Sequence, residues 1–248
     1  MRTIYILWLR QLKRFIRKKA ALIGALGQPV LFFLALGFGL SPIFARGGGL
    51  DYIQFLAPGI MVMTVLFTAM FTGMEVIWDK QFGFLKETLV APVSRFEIMM
   101  GKTLGGATVA VIQGLLVFLI TLLVGFRPVS WLMLPAALGF LSLIAILFSA
   151  LGATIAARLD DMQGFPLIIN FLIQPLFFLS GALFPLQDLP AILAVITKVN
   201  PLSYGVEGLR FALVGHSFLP PLTSLLVLLG ASLAVTAAGI YQFSKVAV

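Results

Sequence analysis

The spacing of its charges constrains this chain more than any other feature. Six long uncharged runs lie between charged residues, at 20 to 45, 52 to 74, 103 to 126, 128 to 157, 162 to 187 and 211 to 244. A helix rising ~1.5 Å per residue needs about 20 apolar residues to cross ~30 Å of hydrocarbon. Each run is long enough, and no other stretch is. Only 10% of the residues are charged, against about 25% in an ordinary soluble domain. A soluble globular fold is excluded. The runs are too long, and too rich in Leu, Phe and Gly, for the alternating strands of a membrane barrel, so they predict helices. The expected fold is an all-α polytopic membrane protein with six transmembrane helices, a single transmembrane domain over residues 1 to 248.

Residues 1 to 19 hold seven Lys or Arg, more than the short basic region of a cleavable signal peptide, and the run that follows is longer than such a peptide's apolar core. The N-terminus is expected to be retained. Tyr5, Trp8, Leu9, Leu12, Phe15 and Ile16 recur at helical spacing, with Arg10, Lys13, Arg14, Arg17 and Lys18 on the other face. That pattern predicts a helix lying in the membrane surface; a basic flank that merely orients the first span is the alternative. Gln28-Pro29 inside the first run predicts a kink.

The net charge of +8 raises the question of nucleic acid. Its distribution answers otherwise. With both termini in the cytosol, only Arg46, Arg127, Lys198 and Arg210 of the 17 basic residues fall outside, which is the positive-inside pattern together with attraction to anionic inner-leaflet lipid. No nucleic-acid partner is expected.

Two segments between runs stand out. Residues 75 to 102, on the inner side, carry nearly balanced charge: Glu75, Asp79, Glu87 and Glu97 against Lys80, Lys86, Arg95 and Lys102. Phe84, Leu85, Thr88 and Leu89 form an apolar edge with Lys86 and Glu87 opposite, and Ala91-Pro92 ends any helix. A short amphipathic helix at the cytosolic surface is the reading, free for a partner or packed on its own spans. Residues 186 to 210, on the outer side, are apolar for a loop, and Pro185, Pro190 and Pro201 divide them into pieces too short to span. One or two re-entrant or interfacial helices are expected, with a turn at Asn200-Pro201.

Catalytic signals are sparse. Cysteine is absent, so disulfides and thiolate metal sites are excluded. His216 has no His or Cys partner for a metal. Gly101-Lys102-Thr103 resembles the end of a phosphate-binding loop, but the required leading glycine is Phe96. No cofactor is therefore expected on this chain. Gly101 and Gly105 form instead a step suited to close helix packing. No acid lies deep in a run, which weakens a proton-driven carrier. Two stripes remain: Met63, Phe67, Met70 and Met74 on the second run, and Asn170, Gln174, Phe177 and Gly181 on the fifth. Adaptable Met and aromatic side chains suit an amphiphilic ligand, and also suit lipid contact, a dimer interface or ordinary packing.

Taken together, the basic amphipathic start, the six runs, FLKETLVAPVSRFEIMMGK at 84 to 102, FLSGALFPLQDLP at 178 to 190 and VNPLSYGVEGLR at 199 to 210 resemble the membrane subunits of type-two ABC exporters. The resemblance covers essentially the whole chain. It implies a permease of a prokaryotic cytoplasmic membrane, with Tyr5 to Arg17 as connecting helix. It implies that Phe84, Leu85, Lys86, Glu87, Thr88 and Leu89 form a coupling helix, and that the segment Leu186 to Tyr204 is re-entrant. Two permease copies, or this chain and a homologue, would line a pathway with their second and fifth spans. ATP and Mg would bind two copies of a separate cytosolic ATPase subunit. The competing expectation is an ion-coupled secondary transporter or channel, since the two long segments follow the second and fifth runs on opposite sides.

Overall fold

The computed structural model describes residues 2–46, 51–84, 93–159, 161–186 and 190–245. Every regular element among them is helical. In chain order they are α1 (Arg2–Arg17), α2 (Lys19–Arg46), α3 (Tyr52–Thr72), α4 (Met74–Gln81), α5 (Arg95–Val124), α6 (Leu134–Arg158), α7 (Gly164–Phe178), α8 (Ala191–Val199), α9 (Pro201–Val214) and α10 (Pro221–Ser244).

Among the described residues, five segments are long and apolar enough to cross a membrane: Ile23–Phe44, Tyr52–Gln81, Arg95–Val124, Trp131–Arg158 and Pro221–Ser244. The fifth uncharged run is the exception to the six expected. Only its first part is helical, and α7 at ~1.5 Å per residue reaches about 22 Å of the ~30 Å needed. The cause is local. Pro175 removes a backbone donor from the helix interior, a π turn occupies Ile169–Ile173, and the helix gives way to turns beyond Phe178. Lack of charge measured apolarity here, not helix length. Pro29, by contrast, lies within an uninterrupted α2.

The boundaries of the inner segment also move. The second crossing continues beyond Thr72, through a break at Gly73, into α4, which carries Glu75 and Asp79. The third begins at Arg95 because Ser94 caps it: its Oγ accepts from the backbone N–H of Glu97 at 3.1 Å. Lys102 thus sits well inside α5. What lies between α4 and α5 shortens to residues 82 to 94, and Leu85 to Leu89 of the expected coupling helix fall outside the described residues. At the other end, the Asn200-Pro201 turn is the start of α9. Asn200 Oδ1 accepts from the N–H of Leu202, while its Nδ2 donates to Leu176 O of α7 at 2.7 Å.

α3 is the central helix, with Leu56, Ile60, Leu66 and Met70 fully buried. It packs on α2, α5 and α6, while α10 lies on α6 and α9. α1 lies along the first turns of α5. The glycine step explains how it can. A Cβ at Gly101 would stand 2.7 Å from Leu7 Cβ, and one at Gly105 2.7 Å from Gln11 Cβ, both closer than carbon atoms approach. The step is therefore a seat for α1, as the spacing predicts, and Trp8 Nε1 fastens it by donating to Thr108 Oγ1 at 2.9 Å.

Candidate functional site

At the basic end of the molecule, α1 turns two of its cations toward the protein. Arg10 and Arg14 stand one helical turn apart, as do Glu75 and Asp79 on α4. The two pairs meet. Arg10 donates from Nη2 and Nη1 to the two oxygens of Asp79 at 2.8 and 3.2 Å, and Arg14 donates to Glu75 Oε2 at 3.0 Å. Lys102 of α5 completes the cluster, its Nζ 2.5 Å from Asp79 Oδ2. Asp79 and Lys102 are both buried. Three cations share two carboxylates, so each acid is matched and the corner formed by α1, α4 and α5 is tied electrostatically in low dielectric. The Arg10 guanidinium also lies 3.6 Å from the centroid of the Phe84 ring.

Arg10 and Arg14 of the polar face thus pack on the protein while Lys13 and Arg17 stay exposed; Leu7 is the one buried side chain of α1, and Tyr5 and Ile16 are exposed. The signal for the two inward-turned cations is the matched i, i+4 spacing of Arg10 and Arg14 with Glu75 and Asp79. That spacing is readable in the sequence once α4 is recognised as a helix.

Above this corner lies a cavity of about 390 Å³ between α1, α2, α3, α4 and α5. Met63, Phe67 and Met74 of the second-run stripe line it, while Met70 is buried in the core beside them. Gln113, on the α5 wall, accepts from Thr68 Oγ1 at 2.5 Å. The two stripes touch at one point, where the rings of Phe67 and Phe177 meet edge to face at 5.9 Å. The fifth-run stripe is not one helical face. The π turn shifts register between Asn170 and Phe177, and Gly181 lies beyond the helix, in a turn at φ +78°. Phe177 is buried; Asn170 is exposed and Gln174 half-buried, and neither amide hydrogen-bonds among the described residues.

The far end has a second buried polar cluster. Arg210 and Glu207, both on α9, form an ion pair; Arg210 Nη2 donates to Gly181 O at 2.7 Å and its guanidinium lies 4.0 Å from the Phe55 ring centroid. Glu207 Oε2 accepts from the N–H of Phe218 at 2.6 Å. Tyr52 Oη donates to Leu183 O at 2.8 Å. Together these contacts pin α9 and the turns after α7 onto α3. Arg210 reads as an exposed outer charge from the sequence. The i, i+3 spacing of opposite charges in the apolar VEGLRFALV is the sign of its burial.

Residues 2–214 match the ABC-2 type transporter family. The chain belongs to that family. Among its relatives is Nodulation protein J of Rhizobium leguminosarum bv. trifolii, 29% identical over 79% of this chain and 75% of the relative. The Putative transport permease ycf38 of Cyanophora paradoxa is 31% identical over 86% of this chain and 74% of its own length. The Inner membrane transport permease YadH of Escherichia coli K12 is 28% identical over 90% and 87%. The chain is thus a membrane protein of a transport-permease family, and its two buried polar clusters join helices.

Proposed function

We propose that this chain is the permease subunit of an ATP-driven exporter, in which it and a second permease copy or a homologue form the pathway for an amphiphile such as a drug, a lipid or a lipid-linked saccharide. ATP and Mg bind on two separate cytosolic ABC ATPase subunits. The observation that carries this reading is the corner at the basic end. There Arg10 joins α1 both to Asp79 on α4 and to Phe84, the first residue of the expected coupling helix. A push delivered near Phe84 would then move α1, α4 and α5 together, as rocking of packed helices requires. The charge distribution supports N- and C-termini in the cytosol of a prokaryotic cell, with the protein in the inner membrane.

Six crossings remain our reading of the topology, with α7 as a short fifth crossing and α8 and α9 as re-entrant helices held by the Arg210 cluster. The exposed face of α7 supports pairing. Phe171 is 82% exposed and flanks the unpartnered Asn170 amide, and a polar group without a partner costs several kcal/mol in hydrocarbon. A second copy, or the pathway between copies, relieves that cost.

Affinity purification of the tagged chain from its native cell, followed by reconstitution of what co-purifies, tests the proposal. A P-loop ATPase should come with it, and vesicles should export a fluorescent amphiphile only with ATP. Transport by the chain alone in an ion gradient would favour the secondary transporter instead.

A further inference from the structure

We propose that the cavity beside α1 binds one anionic amphiphile, a phosphate-headed lipid that enters tail first from the leaflet on the α1 side. Its volume of about 390 Å³ lies in the range of small-molecule sites, which are mostly apolar with a few placed polar groups. Met63, Phe67 and Phe71 supply apolar wall. The polar groups fall at two levels. Arg14, in the last turn of α1, and Lys18, between α1 and α2, line its basic end. Arg14 is engaged by Glu75 at 3.0 Å, whereas Lys18 makes no ion pair among the described residues and its Nζ is 5.1 Å from the centroid of the Trp78 ring. Two cations and one carboxylate leave one positive charge, which a singly charged phosphodiester balances.

Gln28 gives the second level. It lies ten residues beyond Lys18 in the sequence, roughly 13 to 15 Å along α2. It lines the cavity, and its amide has no hydrogen bond among the described residues. Gln113 across the cavity is already satisfied by Thr68. Gln28 is an exposed carboxamide beside apolar wall, deeper along α2 than Lys18, and it can donate to the ester linkages of a glycerolipid whose phosphate lies on the Lys18 side. The acyl chain then lies along Met63 and Phe67. A cationic head would be repelled by Arg14 and Lys18, a neutral one would leave Lys18 unmatched, and free phosphate would leave the apolar wall unused.

The inference rests on the exporter reading only in assigning the α1 side to the cytosolic leaflet. Its test needs neither sidedness nor ATP. The purified full-length protein is placed in nanodiscs of phosphatidylcholine containing a small fraction of phosphatidylglycerol with a photoreactive acyl chain, and the labelled peptides are mapped by mass spectrometry. Labelling should concentrate on residues 24 to 29 and 63 to 71. Excess phosphatidylglycerol should compete; phosphatidylcholine and inorganic phosphate should not. Lys18→Glu, a change at an exposed residue, should cut labelling about tenfold, the loss expected of one charge-assisted contact, with an unchanged melting temperature. Gln28→Leu should weaken it less. Several results would overturn the assignment: labelling spread evenly over lipid-facing α10, equal labelling by a photoreactive phosphatidylcholine, or no effect of Lys18→Glu. Competition by phosphate alone would reduce the site to an anion site. A Gln28→Cys disulfide linking two copies would show instead that the partner fills the cavity. Labelling as expected in a protein that never exports with an ATPase would spare this inference and remove the proposed function.

Discussion

Asp79→Ala is the most informative perturbation of the corner that joins α1 to the bundle. The Asp79 side chain is 5% exposed and that of Lys102 9%, so neither charge is rescued by water when its partner goes. Truncating Asp79 removes the acceptor of Arg10 and of Lys102 at once. Arg10, at 30% exposure, can swing outward, whereas Lys102 is left as a buried, unmatched cation, and breaking such a pair costs about 3–5 kcal/mol. At about 2–4 °C per kcal/mol for a chain of this length, the melting temperature should fall by on the order of 10 °C. Lys102→Met should be milder, about 1 kcal/mol, because Asp79 keeps both bonds from Arg10 and the methionine fills the space. Asp79→Leu combined with Lys102→Met should recover most of the loss, since apolar replacement of a whole buried pair is often neutral. The tryptophans are well placed for the assay. Trp8 bonds Thr108 and Trp78 bonds the sulfur of Met162, so thermal melts in detergent, followed by fluorescence, report α1 and α4. A parent-like melt for Asp79→Ala would refute the reasoning, as would Lys102→Met proving the more damaging of the two. Either would mean that the cluster is solvated and does not hold α1.

Gly105→Leu should lift α1 from its seat, costing about 1–3 kcal/mol by overpacking; limited proteolysis between α1 and α2 should accelerate, and an unchanged digestion rate would count against close packing there. Glu207→Ala strands the buried Arg210 cation and should cost about 3–5 kcal/mol, read as a lowered melting temperature. Asn170→Leu and Phe67→Ala should alter substrate stimulation of the reconstituted complex without preventing assembly; unchanged stimulation in both would return these positions to ordinary packing. In a chain with no native cysteine, Thr88→Cys should react with an impermeant maleimide only from the cytosol and become protected by the ATPase, while Gln187→Cys should react only from outside. Labelling of Thr88→Cys from the outside would overturn the topology.

The sequence by itself determined the solvent of this protein and hence its class of fold. A bilayer core cannot satisfy exposed backbone groups, so uncharged runs of sufficient length must become helices, and five of the six runs do so at spanning length. It also determined contacts that depend only on local chemistry. The glycine step at Gly101 and Gly105 became the seat of α1, and Asn200-Pro201 became a capped helix start. Tertiary structure alone decided which charges are buried. Asp79 and Lys102 sit in flanks that composition assigns to water, and they are enclosed only because α1 lies across α4 and α5 and brings Arg10 to them. Glu207 and Arg210 are likewise enclosed by Gly181 and Phe55, which the chain contributes from distant positions, and by the backbone of Phe218. Hydropathy sums over neighbours in sequence, whereas burial of a charge depends on neighbours in space. The fifth run shows the same limit: its lack of charge was legible, but its helix is interrupted by a π turn at Ile169–Ile173, carries Pro175 in its interior, and gives way beyond Phe178 to turns, with Asn200 bonded to Leu176 and Arg210 to Gly181.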